Sequence, residues 1–316
     1  MPSILTVTLN PTVDLATDVD TVIPNLKLRC SSPHVDPGGG GINVSRAIKL
    51  LGGRSTALVA IGGATGARLL ELLTKEGIAT VGFQGPGETR MSLSVTGQDN
   101  MDQFRFVLPG PDWTERAVER ALDTLDQATG SNTLVVLSGS QPPGVAKNFP
   151  AILADHVAEL AARLIVDTSG PALFNLVESP HKSIYVLRMD GEEAEELAGR
   201  ELPTPEDSAD FAQSLVKKGV ASIVIVARGA DGSVLASSEG RWHAVGTKLV
   251  KVVSKVGAGD SFVGAFTYAL YRGDSLPDCL RFGVCAASSA VTTEATRLCD
   301  RDMTESLMGE CNVREV

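Results

Sequence analysis

The chain has 316 residues, of which 43% are hydrophobic and only 4% aromatic, and a net charge of −10. That acidic balance excludes a broad nucleic-acid-binding surface but leaves room for a local basic pocket that takes a phosphorylated small molecule. No apolar run approaches the ~18 residues of a membrane span, and the first residues lack the basic region of a signal peptide. Five cysteines, an odd number without C-x-x-C spacing, predict reduced thiols of a cytoplasmic protein rather than a disulfide frame or zinc site.

In chain order, residues 4–9 predict a first strand. Residues 14–35 read as strand with no helix between. Asp36-Pro37-Gly38-Gly39-Gly40-Gly41-Ile42-Asn43 then runs into a helix over 43–51. Strand 56–61 and helix 66–76 follow. Residues 91–108 form a hairpin whose arms, 92–96 and 103–107, flank Gly97-Gln98-Asp99-Asn100. Helix 115–128, strand 133–138, helix 149–162 and strands 164–167 and 184–187 come next. After them stand helices 192–198 and 208–218, strand 223–227, and helices 259–271 and 279–293. Runs such as Leu134-Val135-Val136-Leu137 are apolar on both faces, which suits a sheet covered on both sides. The alternation predicts one α/β domain over 1–316, with a mainly parallel sheet between two helical layers. The stretches at about 14–35 and 91–108 would make a small β-sheet lid that excludes water from a phosphoryl-transfer site.

Two glycine motifs carry the chemistry. Val256-Gly257-Ala258-Gly259-Asp260-Ser261 joins a β-branched run to an apolar helix. Free N–H groups and the helix dipole at such a junction hold an anion. An acid beside an anion hole is costly unless it takes up a proton, so Asp260 reads as a base for phosphoryl transfer to a hydroxyl. A simple acidic helix cap is the competing reading. The four consecutive glycines at 38–41 are costly in backbone entropy, which suits close approach of the backbone to a ligand. Asn43 then offers donors and an acceptor at the helix mouth.

With both motifs in place, the chain resembles the ribokinase-like (PfkB) carbohydrate kinase family from Thr6 to about Arg301. Within it, the stretches most similar to the minor-type bacterial 6-phosphofructokinase branch are Lys27-Leu28-Arg29-Cys30, residues 38–44, Gly62-Gly63-Ala64-Thr65-Gly66, Phe104-Arg105-Phe106-Val107, Ser138-Gly139-Ser140 with Pro142-Pro143-Gly144, and Thr296-Arg297-Leu298-Cys299. The resemblance implies a three-layer α/β/α fold with a β-lid. It implies Mg²⁺-ATP as phosphoryl donor and the 1-hydroxyl of fructose 6-phosphate as acceptor. Tagatose 6-phosphate kinase and 1-phosphofructokinase are the neighbouring alternatives, and a non-catalytic sugar-phosphate sensor is the alternative from another class. Asp260 would be the base, and the N–H groups of Gly257, Ala258 and Gly259 would hold the transferring charge. Asp14, Gly39 and Asn43 would bind sugar hydroxyls. Lys27, Arg29, Arg90, Arg105 and Ser140 would hold the phosphate already on the sugar, for which a Lys/Arg cluster is the right chemistry.

On the nucleotide side the chain departs from the family pattern. A Lys-Pro-Asn stretch with a following Glu becomes Arg188-Met189-Asp190-Gly191-Glu192-Glu193, which makes Asp190 and Glu193 the magnesium ligands implied. The next glycine turn reads Ala227-Arg228-Gly229-Ala230-Asp231-Gly232, missing a hydroxyl and gaining Arg228. Lys255 stands where the family has threonine. Arg188, Gly229, Gly232 and Lys255 would face the triphosphate, with Arg228 and Lys255 as added cations, and Val284 and Ser288 would face adenine. Segments 254–256 and 290–297 correspond to a monovalent-cation (K⁺) site in some relatives. Family lids commonly meet in a homodimer, with Val19, Val22, Ile23 and Leu28 as contact candidates here.

Overall fold

The structure is a computed structural model that describes residues 3–179, 184–246, 251–294 and 296–316. The chain opens with β1 (Ile4–Thr8), then β2 (Thr12–Val19), β3 (His34–Gly38), α1 (Gly40–Leu50), β4 (Thr56–Ile61), α2 (Gly63–Lys75) and β5 (Ala79–Gln84). The hairpin β6 (Arg90–Gly97) and β7 (Gln103–Val107) precedes α3 (Glu115–Ala128), β8 (Leu134–Ser138), α4 (Phe149–Glu159), β9 (Arg163–Asp167), α5 (Pro171–Glu178) and β10 (Ile184–Met189). Next come α6 (Gly191–Ala198), α7 (Pro205–Lys218), β11 (Ile223–Ala227), β12 (Ser233–Ser237) and β13 (Arg241–Val245). The chain closes with α8 (Ala258–Arg272), α9 (Leu276–Ala290), α10 (Arg301–Leu307) and β14 (Asn312–Glu315).

The main sheet runs β14-β13-β12-β11-β10-β9-β8-β1-β4-β5. From β11 to β5 every pair is parallel, and β12, β13 and β14 extend it antiparallel. Alternate side chains of each strand enter opposite cores. Val135 and Leu137 of β8 pack with α3, α4, α5, α6 and α7, whereas Leu134 and Val136 pack with α1, α8, α9 and α10. A smaller cluster places Ile42 and Val13 against Leu69, Leu72 and Leu73 of α2. This is the three-layer architecture that the alternation predicts. The five cysteines are free, and the Cys285 and Cys311 thiols contact each other. Among the described residues no helix is long and apolar enough to cross a membrane.

The lid is a second sheet, ordered β3-β2-β6-β7, in which β2 and β6 run parallel and the outer pairs antiparallel. Its strands are shorter than the 14–35 reading. Residues 20–33 connect β2 to β3 without strand, and Lys27 and Arg29 lie exposed within that connection. Register puts Asp14 opposite Asp36 and Ser92, and Ser94 opposite Arg105, so these share one polar face. Leu93 and Phe106, and Val95 and Phe104, pair on the other, apolar face. Val19 is buried in the lid, so it is no free contact residue. The exposed apolar side chains of the lid strands are instead Met91, Leu93, Phe104, Phe106 and Val107, with Ile23, Leu26 and Met101 on its loops.

Candidate active site

The site forms where α1 and α8 begin side by side at the C-terminal edge of the main sheet. A Cβ on Gly264 of α8 would meet Ala47 Cβ at 2.8 Å and the Val44 carbonyl at 3.0 Å, so glycine there lets the helices touch. That contact brings together Asn43 and Asp260. Asn43 Nδ2 donates to Asp260 Oδ2 at 2.9 Å across 217 residues of sequence.

The four glycines explain themselves one by one. Gly39 takes φ +113° as N-cap of α1, a region that L side chains rarely adopt. Gly40 and Gly41 approach Ser138 and Gly139 of the sheet edge and the Val7 carbonyl, and a Cβ at Gly38 would strike Asp14 Oδ2. Much of the close approach is therefore to the protein's own strands rather than to a ligand. The helix starts at Gly40, ahead of the predicted Asn43.

Gly257, at φ +76°, is the N-cap of α8 and Asp260 lies in its first turn. No strand precedes this turn over 251–255, and residues 247–250 of the β-branched run lie outside the described residues. The segment is held instead by the Val253 and Ser254 N–H groups donating to the Val291 carbonyl, at 2.7 and 3.2 Å. The Ala258 N–H makes one long contact, 3.5 Å, to the Lys255 carbonyl. The first N–H groups of a helix have no partner within it, so this turn faces the cleft with donors to spare. Burial is the main cause that pushes the Asp260 carboxyl up from 3.8 to about 6; Asp167 and Asp14 add to it, while Asn43 and Arg188 oppose it.

Arg188 lies over this turn. Its terminal nitrogens stand 3.4 Å from where a Gly259 Cβ would be, and its Nη1 donates to Asp167 Oδ1 at 3.0 Å. Asp190 and Glu193 make a reciprocal capping box on α6: Asp190 Oδ1 accepts from the Glu193 N–H, and Glu193 Oε2 accepts from the Asp190 N–H. One oxygen of each carboxylate is left over. Burial, with Asp190 and Asp167 nearby, raises the Glu193 carboxyl above its ordinary range. Three carboxylates around one guanidinium fit a divalent cation held by one or two side chains plus phosphate oxygens.

Arg228 does not face this site. It donates to the Leu202 and Pro203 carbonyls, at 2.8 and 2.9 Å, and to Ser208 Oγ, clamping the start of α7. Lys255 is exposed and makes no side-chain hydrogen bond or ion pair among the described residues. Gly229 and Gly232 bound a 3-10 turn at the end of β11, both at positive φ. Val284 and Ser288, one turn apart on α9, lie beside Gly246, where a Cβ would meet Ser288 Oγ at 2.9 Å and Val284 Cγ1 at 3.7 Å.

Across the cleft, burial pushes the Asp14 carboxyl up, against the pull of Thr12, Arg90, Arg105 and Arg46. Its Oδ1 is buried without a partner, as are Thr8 Oγ1 and Asn10 Oδ1, which leaves acceptors for ligand hydroxyls. Arg90 donates to the Asn10 carbonyl from Nε (3.3 Å) and Nη2 (3.2 Å), and Asn10 Nδ2 reaches Ser140 Oγ at 3.5 Å. Asp14, Arg90, Arg105 and Ser140 thus gather on the lid side. Neither Lys27 nor Arg29 is held to them by a hydrogen bond or ion pair among the described residues. Sequence reasoning missed Asn10 and Asp167. Asp167 had a usable signal, since it ends an apolar parallel strand, where α/β sheets place their ligands.

Comparison with known proteins identifies the family. Residues 7–303 match the pfkB family carbohydrate kinase description. The ATP-dependent 6-phosphofructokinase isozyme 2 of Mycobacterium tuberculosis is 40% identical over 96% of this chain and 88% of its own. Phosphofructokinase-2 of Escherichia coli has been solved with potassium (TM-score 0.91), with fructose-6-phosphate (0.89) and in a tetrameric inhibited form (0.90). Each is 38% identical and covers 98% of this chain and 99% of that one. With that match over most of its length, and with Asp260 and the glycines that precede it in place, the chain belongs to the pfkB family of carbohydrate kinases.

Proposed function

We propose that the protein transfers the γ-phosphoryl of ATP to the 1-hydroxyl of fructose 6-phosphate, giving fructose 1,6-bisphosphate and ADP. The observation that carries this reading is Asp260, a carboxyl held near 6 at an N–H-lined helix mouth beside Arg188. A base with that affinity is ionised at neutral pH yet accepts a proton readily. Asp260 takes the proton as the acceptor oxygen–hydrogen bond breaks. That oxygen bonds to the γ-phosphorus while the bond to the β,γ-bridging oxygen breaks in line, releasing ADP. The N–H groups of Gly257, Ala258 and Gly259, the α8 dipole and Arg188 hold the charge in transit.

Asp14, Asn10 and Asn43 supply unsatisfied acceptors and a spare amide hydrogen for the sugar hydroxyls. Arg90, Arg105 and Ser140, joined by Lys27 and Arg29 from the lid loop, hold the phosphate already on the sugar. Lys255, Gly229 and Gly232 bound the triphosphate side, and Val284 and Ser288 the adenine. Asp190 and Glu193 hold Mg²⁺, which neutralises phosphate charge when bound. A potassium ion fits near 254–256 and 290–297: the first segment is tied to the second through Val291, and a relative binds potassium. Ala295 of the second segment lies outside the described residues. The lid's apolar face suits a homodimer, and the free thiols suit the cytoplasm.

A sensor without turnover has no use for a raised carboxyl just after two helix-mouth glycines, which favours the kinase. The test is ADP release from Mg-ATP with fructose 6-phosphate, tagatose 6-phosphate, fructose 1-phosphate and fructose in parallel, in KCl and in tetramethylammonium chloride. Fastest turnover on fructose 6-phosphate in KCl is expected. Preference for another sugar phosphate reassigns the acceptor, and acceptor binding without any turnover moves the protein to the sensor class.

A further inference from the structure

Arg46 is buried to 12% exposure one turn beyond Asn43 on α1, and the chemistry above gives it no part. Its Nε and Nη2 donate to both oxygens of Glu76, at 2.7 and 2.9 Å. Nη1 donates to Asn43 Oδ1 at 3.3 Å and to the Pro37 and Thr296 carbonyls, both at 3.4 Å. Asp36 Oδ1 lies 3.8 Å from Nη2. The guanidinium is thus fixed from α2's end, from the lid strand β3 and from the loop before α10.

A guanidinium only donates, so the Asn43 amide atom facing it must be the oxygen. The nitrogen is then turned toward Asp260 Oδ2, 2.9 Å away. A free asparagine amide would have a second orientation. Once Asp260 has accepted the acceptor's proton, its new O–H would favour the amide oxygen. A flipped amide would hold the protonated acid and slow its return to a base.

We propose that Arg46 is a positioning residue that locks the Asn43 amide with its nitrogen toward Asp260, keeping the catalytic carboxylate a hydrogen-bond acceptor through every cycle. The proposal rests on the kinase reading above. The other charged groups facing Asp260 are Arg188 of β10, Asp167 of β9 and Asp14 of β2, and none of them touches the amide.

The test is a double-substitution cycle of Arg46→Lys with Asn43→Ala, read in two ways. One is kcat at saturating substrates. The other is the titration midpoint of Asp260 from ¹³C-carboxyl NMR of aspartate-labelled protein, assigned with Asp260→Asn. Lysine keeps the charge but loses the planar fork. Alone, Arg46→Lys is expected to lower kcat about tenfold and to raise the midpoint; in the Asn43→Ala background it changes kcat by less than about twofold and leaves the midpoint in place. Losses that multiply across the cycle would overturn the proposal, because Arg46 would then act without Asn43. Should Arg46→Lys not fold, Glu76→Gln loosens the same guanidinium. It is expected to raise the midpoint by a smaller amount, again only when Asn43 is present, and an unchanged midpoint would equally overturn the proposal. The midpoint needs no turnover, so an inactive wild type would sink the kinase reading while the cycle still decided the role of Arg46.

Discussion

Arg188 and Asp167 face each other in register on adjacent parallel strands, and their side chains close a 3.0 Å ion pair beside the first turn of α8. The pair lets a cation wait at the anion hole. Both partners are largely buried, at 16% and 14% exposure, so an unpaired Arg188 would be expensive in the absence of ligand. Arg188 Nε has no partner, which leaves a donor for an incoming phosphate.

From this it follows that Arg188→Gln weakens nucleotide use and disturbs the base together. The ATP KM should rise about tenfold or more, the order expected for losing a charge-assisted hydrogen bond. Asp260 also loses a cation that lowers its proton affinity. The acid limb of the pH–rate profile should therefore move to higher pH. Steady-state kinetics across pH 5 to 9 checks both effects.

Asp260 links activity to stability with opposite signs. Its carboxyl titrates at about 6 in the folded protein against an ordinary 3.8. Activity needs the ionised form, so kcat/KM should fall as pH drops through about 6. The folded state binds this proton more tightly than the unfolded chain does. Stability from this group therefore falls as pH rises from 3.8 to 6, by about 3 kcal/mol in total. Asp260→Asn removes that cost. Its Tm should exceed that of the parent at pH 8, and the gap should close toward pH 4. Thermal unfolding at both pH values checks the sign.

The two cations added on the nucleotide side separate in the structure. Arg228 is committed to Leu202, Pro203 and Ser208. Arg228→Ala should cost about 1–3 kcal/mol of stability and leave the ATP KM within about twofold. Lys255→Thr should do the reverse: stability unchanged within about 0.5 kcal/mol and the ATP KM raised severalfold. An unchanged KM in Lys255→Thr would remove Lys255 from the phosphate site.

The lid's apolar face predicts its own outcome. Phe106 is 54% exposed opposite Leu93. Phe106→Glu should shift the protein toward monomer in analytical ultracentrifugation. Secondary structure should survive, because the side chain packs against no core.

Much of this arrangement is written in local sequence. The strands apolar on both faces and the 115–128 helix stand where their patterns place them, because burial on two sides leaves an unbroken apolar run. The antiparallel edge β12 to β14 does not announce itself. Ser233–Ser237 is fully buried, but its apolar run is only Val234-Leu235-Ala236 between two serines, too short to mark a strand. The helices α5 and α10, of eight and seven residues, are too short for a 3.6-residue period to emerge. In the site, Asp260 is legible because a glycine junction defines its chemistry locally. Asn10, Asp167 and Arg46 are not, because each acquires its role from contacts with other elements: Asn10 with Arg90 and Ser140, Asp167 with Arg188, and Arg46 with Glu76. Arg228 misleads for the same reason: its position in the glycine turn suggests phosphate, and its partners on the start of α7 decide otherwise.

The most direct test compares the wild type with Asp260→Asn on fructose 6-phosphate, measuring kcat by ADP release and acceptor affinity by calorimetry in the same preparations. Loss of a base should lower kcat by about 10²–10⁴-fold while the acceptor still binds within a fewfold. An Asp260→Asn protein that keeps near-normal kcat would contradict the assignment of Asp260 as the base and, with it, the account of the site.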